Sequence, residues 1–334
     1  MLLLEKDRFP RHKVCGEFVS PESLHLLEWL LGDQRFPDRP EISRARIFSL
    51  RKTISLPIFP PAKSIARYEL DAELLAAARR AGAQAKEEAA VLEVNSGTVC
   101  KIRCKTETFT ARAVVNASGR WSQLTQHAAK KNQSKWIGLK GHFCEAQAPN
   151  SVDLYFFNGG YCGVQPVSES SVNACAMVRA DAARSLEDVF SMHPELRKRS
   201  RNWSPLFPAI STSQLYFRQP QTDSNSMLLA GDAAAFIDPF AGDGISLALH
   251  SGTLAAESLV PFLQGRGSWE DAKQHYGNAY RKQFAPAFRN AARVRKVLTA
   301  PPLIQSMLLS LAGISPFSRA LVRSTRIQES AKSR

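Results

Sequence analysis

Residues 227–252 read Met-Leu-Leu-Ala-Gly-Asp-Ala-Ala-Ala-Phe-Ile-Asp-Pro-Phe-Ala-Gly-Asp-Gly-Ile-Ser-Leu-Ala-Leu-His-Ser-Gly. The apolar run Met227 to Ala230 has the pattern of a strand buried on both faces. It ends at Gly231, where a side chain would obstruct a ligand lying across the strand's carboxyl end. Asp232 then offers a carboxylate to ligand hydroxyls. Pro239 bends the connection, Gly242 and Gly244 allow close backbone approach, and a helix is predicted from Gly244 to Leu263. Its N-terminus, flanked by Asp243 and Ile245, carries partial positive charge and free N–H groups, the arrangement that holds anionic ligand groups. The whole spacing carries the reading; the Gly-Asp pair alone carries none.

Working outward, Met1 to Leu4 is an apolar run closed by Glu5, as a buried parallel strand ending in a ribose-binding acid would be. Arg11-His-Lys-Val-Cys-Gly-Glu17 sets a basic cluster before a Cys-Gly pair. Gly16 there permits approach to a flat ring, Cys15 is either a ring-face thiol or a packed core residue, and Glu17 is either a proton relay or a surface acid. Ser20-Pro21 is an N-cap followed by a first-turn proline, so a helix is expected over 21–31. Residues 44–58 alternate as a strand pair, Leu70 to Ala81 is an amphipathic helix ended by Gly82, and three short strands fall within 91–110. Ala113 to Ala117 returns to the apolar strand pattern. Residues 136–216 are rich in alternating strands with helical insertions near 181–190, and helices are expected over 269–298 and 302–326.

The chain has 334 residues and a net charge of +14. From Arg266 onward 13 Lys and Arg stand against 3 Asp and Glu, so a surplus of 10 sits in the last fifth. No nucleic-acid motif accompanies it, which leaves a solvated helical face or a surface resting on anionic lipid. None of the six cysteines forms a CxxC pair, no metal site is expected, and a reducing compartment fits. Cys100 and Cys104 read as buried residues on one strand face. The seven histidines show no ligand spacing and no Gly-x-Ser-x-Gly elbow occurs, so metal-dependent and serine-hydrolase chemistry are set aside. With no signal peptide or membrane-spanning run, the expectation is a cytoplasmic protein, with peripheral membrane association through the basic C-terminus.

Taken together, residues 1–17, Arg67-Tyr-Glu-Leu-Asp71, Val114 to Gly119, Tyr155 to Pro166 and 227–252 resemble the geranylgeranyl-reductase-like branch of the p-hydroxybenzoate-hydroxylase-type flavoproteins. The resemblance runs from Met1 to about Leu263. It implies a mixed α/β fold: a Rossmann-type FAD-binding domain from 1–43, 65–135 and 217–265, an interleaved antiparallel-sheet substrate domain from 44–64 and 136–216, and basic C-terminal helices over 266–334. The family's first strand and GxGxxG loop, expected about twenty residues before Glu5, have no counterpart before Met1, so the implied FAD domain lacks both. FAD is the implied cofactor, with NAD(P)H a transient electron donor. Glu5 would bind the adenosine ribose, Arg11 the pyrophosphate and the Val91 backbone the adenine. Cys15 and Gly16 would line the flavin, with Cys15 the catalytic candidate. Arg67 would support the cofactor, Gly119 closes the returning strand, and Gly231 and Asp232 meet the ribityl or pyrophosphate region. Pro239, Gly242, Asp243, Gly244 and Ile245 would lie at the isoalloxazine.

Three departures narrow the activity. Ser118-Gly119 replaces the hydroxylases' Asp-Gly pair, Gly163 and Gln165 replace the aromatic pair that covers isoprenoid lipid, and Trp136-Ile-Gly138 does not reproduce the halogenase tryptophan motif. The expected function is an FAD-dependent reductase or monooxygenase acting on an apolar or aromatic small molecule. The alternatives are a non-catalytic remnant that binds no FAD and a peripheral membrane-binding protein.

Overall fold

A computed structural model describes residues 1–32, 36, 38–49, 52–120, 123–124, 135–212, 214–215 and 219–298. The helix expected over 302–326 lies outside them. In chain order the elements are β1 (Leu2–Leu4), β2 (Phe18–Val19), α1 (Pro21–Leu31), β3 (Glu41–Phe48), β4 (Thr53–Ser64), α2 (Arg67–Arg80), β5 (Gln84–Lys86), β6 (Val91–Asn95), β7 (Cys100–Cys104), β8 (Thr108–Ala111) and β9 (Val115–Asn116). There follow β10 (Trp136–Cys144), β11 (Ser151–Phe157), β12 (Gly160–Ser168), β13 (Ser171–Arg179), α3 (Leu186–Ser191), α4 (Pro194–Arg199), β14 (Ile210–Ser211), β15 (Asp223–Ser224), β16 (Met227–Leu229), α5 (Gly244–Leu263) and α6 (Trp269–Leu298).

Two short parallel ladders, β1 with β5 and β16 with β9, stand as separate sheets among the described residues. The second ladder is continued by β15, and the β6-β7-β8 meander buries Cys100, Ile102 and Cys104 on one face, as alternation requires. The large sheet, formed mostly from the segments expected to make the substrate domain, has eight strands in the order β14-β10-β13-β12-β11-β3-β4-β2. It departs from the expected antiparallel sheet at one pair: β3 runs parallel to β11, because β3 enters from a distant segment rather than by a hairpin. It also takes in Phe18 and Val19, so the sheet reaches into the segment assigned to nucleotide binding.

Side-chain alternation gives this sheet two unlike faces. Leu139, Phe143, Cys162, Val164, Val172, Ala174 and Ala176 form an apolar face covered by Leu186 and Val189 of α3 and Leu196 of α4. The other face carries Lys140 and His142 of β10 together with their cross-strand neighbours Cys175 and Asn173. Asp153, on the interior strand β11, ties α4 to the sheet: it is fully buried, accepts from Arg46, and lies 2.5 Å from Arg199 Nη1, while Arg199 also reaches Glu145.

The chain closes on α5 and α6. Ala272, Tyr276, Tyr280, Phe284, Ala287 and Ala291 recur at helical spacing and are all buried in one core with Leu228, Leu229, Leu247, Ala255 and Leu259. Tyr276 donates its hydroxyl proton to the Leu229 carbonyl at 2.6 Å, tying α6 to the end of β16. Tyr276→Phe removes that donor and leaves a buried carbonyl short of a partner, so a loss of about 1–2 kcal/mol in urea unfolding is expected; an unchanged midpoint would show that the bond contributes nothing. No helix among the described residues is long and apolar enough to cross a membrane.

Candidate active site at the start of helix α5

Between β16 and α5 the chain makes two short 3-10 turns, Gly231–Ala233 and Pro239–Ala241. Gly231 has φ +58, and a Cβ placed there would lie 3.3 Å from the Ala248 side chain. Packing of the strand end against α5 is thus a reason of its own for a glycine here, and the Gly231 N–H donates to Ser251 Oγ at 2.8 Å. Gly242 is constrained by packing as well. It is left-handed at φ +74, and a Cβ would meet the Phe18 ring at 2.9 Å, so its bareness serves the packing of β2. Gly244 is different: nothing lies within 4 Å of the position its Cβ would take. Asp243 is the N-cap residue of the 20-residue helix α5, and its side chain makes no cap bond to the first turn. Ile245 turns inward, packing with Val19, Leu27, Leu31, Ile65 and Leu70.

The Cys15–Ser20 segment is brought against this helix start. Phe18 packs on Gly242, and the Ser20 and Ser246 hydroxyls are 2.6 Å apart. The expected side-chain cap of α1 by Ser20 does not form, because that hydroxyl is engaged by α5. Gly16 is exposed, with open space where a Cβ would sit. Cys15 is half-buried; its sulfur accepts from the Glu17 N–H at 3.3 Å and its carbonyl accepts from Asn173 Nδ2 at 3.0 Å.

Arg67, the first residue of α2, is paired bidentately with Asp71 at 2.7 Å on both arms, and Lys13 Nζ meets the same carboxylate at 2.7 Å. Burial opposes the Arg67 charge, yet Asp71 and Cys15 beside it raise its pKa above the ordinary value. Burial likewise opposes the Asp71 charge, but Arg67 and Lys13 hold its pKa below the ordinary carboxylate value. Glu5 accepts the Asp7 N–H at 3.0 Å and lies 3.6 Å from Arg11, whose nearer partner is Asp7 at 2.8 Å. Asp232 pairs with Arg120 at 2.7 Å, and Arg120 sits over the Phe236 ring. Gly119, at φ +83, has open space where a Cβ would be, and Val91 starts β6 opposite Cys104.

The sequence left two readings open for Glu17, and burial removes one of them: it is not a surface acid. It is fully buried, as is Lys140, with which it forms an ion pair. Its other oxygen lies 2.8 Å from His142 Nε2, and its first oxygen also accepts the Arg67 N–H at 2.8 Å. Burial by itself disfavours the charged carboxylate; the His142 bond and the Lys140 charge outweigh it and hold the Glu17 pKa below the ordinary carboxylate value. Lys140 and His142 are residues that sequence reading missed, and His142 was set aside with the other histidines. The available signal was their alternation on one strand, which puts both on the same face.

An FAD-type ligand is compatible with these residues on two counts: the uncapped start of a long helix, and the open positions at Gly16 and Gly244 on the two segments that meet there. No family model matches the chain. Its sequence is similar to the menaquinone reductase of Mycolicibacterium smegmatis, 24% identical over 91% of this chain and 80% of that protein. It is similar also to the digeranylgeranylglycerophospholipid reductase of Methanocella arvoryzae, 25% identical over 85% of this chain and 74% of that protein. Among solved structures, a flavin-dependent brominase aligns with a TM-score of 0.79 at 19% identity, over 97% of this chain and 86% of that one. A geranylgeranyl bacteriochlorophyll reductase-like protein from Thermoplasma acidophilum aligns at 0.75 and 19% identity, over 97% and 88%. The chain has the FAD-binding flavoprotein fold and resembles, in sequence and in architecture, the geranylgeranyl-reductase-like branch of FAD-dependent oxidoreductases.

Proposed function

We propose that this chain binds FAD and reduces an apolar or aromatic small molecule bearing a conjugated carbonyl or alkene. The observation that carries the reading is the junction of Cys15–Ser20 with the first turn of α5, where Gly16 and Gly244 both face open space beside an uncapped helix end. The N–H groups of that first turn would stabilise negative charge on the ring, Cys15 and Gly16 would line it, and Glu5 would accept from ribose hydroxyls. Asp232 and Arg120, already paired, would frame the connecting chain. When bound, the flavin supplies the two-electron chemistry, recharged by a transient donor such as NAD(P)H. The two relatives named as reductases support reduction over oxygen insertion.

Visible absorbance after mixing with FAD and gel filtration tests this. A retained flavin band is expected, and a colourless protein would overturn the reading in favour of a chain that holds no flavin. Gly16→Val gives a sharper arm. Because nothing lies near that position, thermal stability should stay within about 0.5 kcal/mol, while FAD affinity falls tenfold or more, about 1.4 kcal/mol. Unchanged affinity would remove Gly16 from the cofactor site.

A second reading, peripheral contact with anionic lipid, draws on the exposed Arg281, Lys282, Arg289 and Arg293 of α6. It requires flotation with phosphatidylserine vesicles at low salt that is lost at high salt.

A further inference from the structure

The Glu17–Lys140–His142 unit lies on a sheet face that carries further polar side chains. His142, Asn173 and Gln165 align in one row across β10, β13 and β12, with Lys140, Cys175 and Gly163 in the next. Gln165 is satisfied, donating to Ser64 Oγ at 2.6 Å. Asn173 is 1% exposed; its amide nitrogen is held by the Cys15 carbonyl, but its oxygen has no hydrogen-bond partner among the described residues. His12 adds a second orphan. Its ring stacks on Phe207 at 3.9 Å, lies 4.9 Å from Tyr68 and meets the edge of His142 at 5.4 Å, while its Nδ1 is buried without a partner among the described residues. Two buried polar atoms left open each cost on the order of 1–3 kcal/mol. Asn173 holds the Cys15 carbonyl and His12 meets His142, the cross-strand neighbour of Asn173, so a polar ligand group at this end of the sheet would satisfy them.

We propose that His12 donates the proton that completes reduction of a conjugated carbonyl substrate, with Glu17, Lys140 and His142 as positioning residues that set its charge environment. This rests on the reading above, in which the Cys15–Gly16 edge lines a flavin. With FAD held there in its reduced form, the substrate carbonyl would gain a hydride, two electrons and one proton, from the flavin, and its oxygen would gain the second proton from imidazolium His12, a partly exposed residue that would regain its proton from solvent. The buried carboxylate and ammonium of Glu17 and Lys140 cancel, so the unit accommodates a change of one proton at neighbouring His12 without a large net buried charge. Burial, then the charges of Lys140 and His142, lower the His12 pKa, while Glu17 raises it. Tyr68 is the remaining titratable group against the ring.

Duroquinone is a suitable probe because its four methyl groups protect it from the six thiols. The wild-type chain is loaded with FAD, reduced anaerobically with dithionite, and its reoxidation by duroquinone is followed at several pH values. The wild-type rate is expected to fall as pH rises through a midpoint below 6.5, with His12→Gln about 100-fold slower on the acid side and without that inflection. Added imidazole should restore the rate of His12→Ala, and Glu17→Gln should move the inflection to lower pH, since it removes the charge that raises the His12 pKa. A 15N-histidine NMR spectrum of the flavin-free chain supplies a readout independent of turnover: duroquinone should shift the His12 ring signals and leave those of exposed His25 in place. A coloured His12→Gln protein that matches the wild-type rate and inflection overturns the proposal alone. So does a His12 ring unmoved by duroquinone. A wild-type chain that never holds flavin defeats the underlying flavin reading, and the proposal with it.

Discussion

Glu17→Ala is expected to destabilise the folded chain by about 3–5 kcal/mol, because it leaves the Lys140 ammonium buried without its counter-charge. Both groups are fully buried, and Glu17 additionally joins His142 on β10 to the Arg67 N–H at the start of α2. The loss should appear as a lowered urea midpoint with an unchanged slope. Glu17→Gln combined with Lys140→Met should recover most of it, since a neutral pair carries no uncompensated charge; a double mutant as unstable as the single would show that something other than the ion pair is lost. The pH dependence has a definite sign. The folded-state pKa of Glu17 lies below its ordinary value of 4.5, so the stabilisation is present above 4.5 and disappears as the pH falls through the lower folded value. Asp71, also depressed below its ordinary 3.8, adds a loss in the same direction at lower pH. Wild type and Glu17→Gln should therefore converge in stability toward acid, and parallel curves would contradict the depressed pKa.

Gly242→Ala is expected to cost about 2–4 kcal/mol, combining left-handed backbone strain with overpacking against a buried ring. Its φ is +74 and the added Cβ would stand 2.9 Å from Phe18, a residue fixed in the large sheet by its pairing with Ser64. Relief requires moving either β2 or the first turn of α5, and both border the candidate flavin site, so FAD retention should fall along with stability. Phe18→Ala in the same chain removes the clash but not the strain. The double mutant should thus lose less than the two single losses added, and strict additivity would show that Phe18 and Gly242 are not in contact.

Much of the architecture was legible along the chain because it depends on local periodicity. The helix expected from Gly244 begins there and ends at Leu263, and the helix expected at 269–298 has those limits, since each carries an apolar stripe at helical spacing. The β7 alternation set Cys100 and Cys104 inside without further information. The residues expected to hold a nucleotide form a readable pattern for a different reason: strand end, glycine, acid, bend and helix start are consecutive in sequence, and the structure has the strand, the two turns and the helix in that order.

What the sequence could not convey was the purpose of individual residues in that pattern. Gly231 and Gly242 look alike in a ligand-binding loop, yet the space above each is filled by Ala248 and Phe18, whereas Gly244 and Gly16 remain open. That distinction lies in contacts between segments, which no local spacing records. Glu17 shows the same limit most clearly. Read alone, it is an acid following Cys-Gly; the partners that bury and charge it, Lys140 and His142, arrive from more than a hundred residues away on a neighbouring strand face. Composition, periodicity and motif spacing determined which elements form and where a nucleotide-type site would lie. Only the tertiary structure, by deciding which polar groups share a buried, water-poor environment, determined which of them have their charge states set by one another.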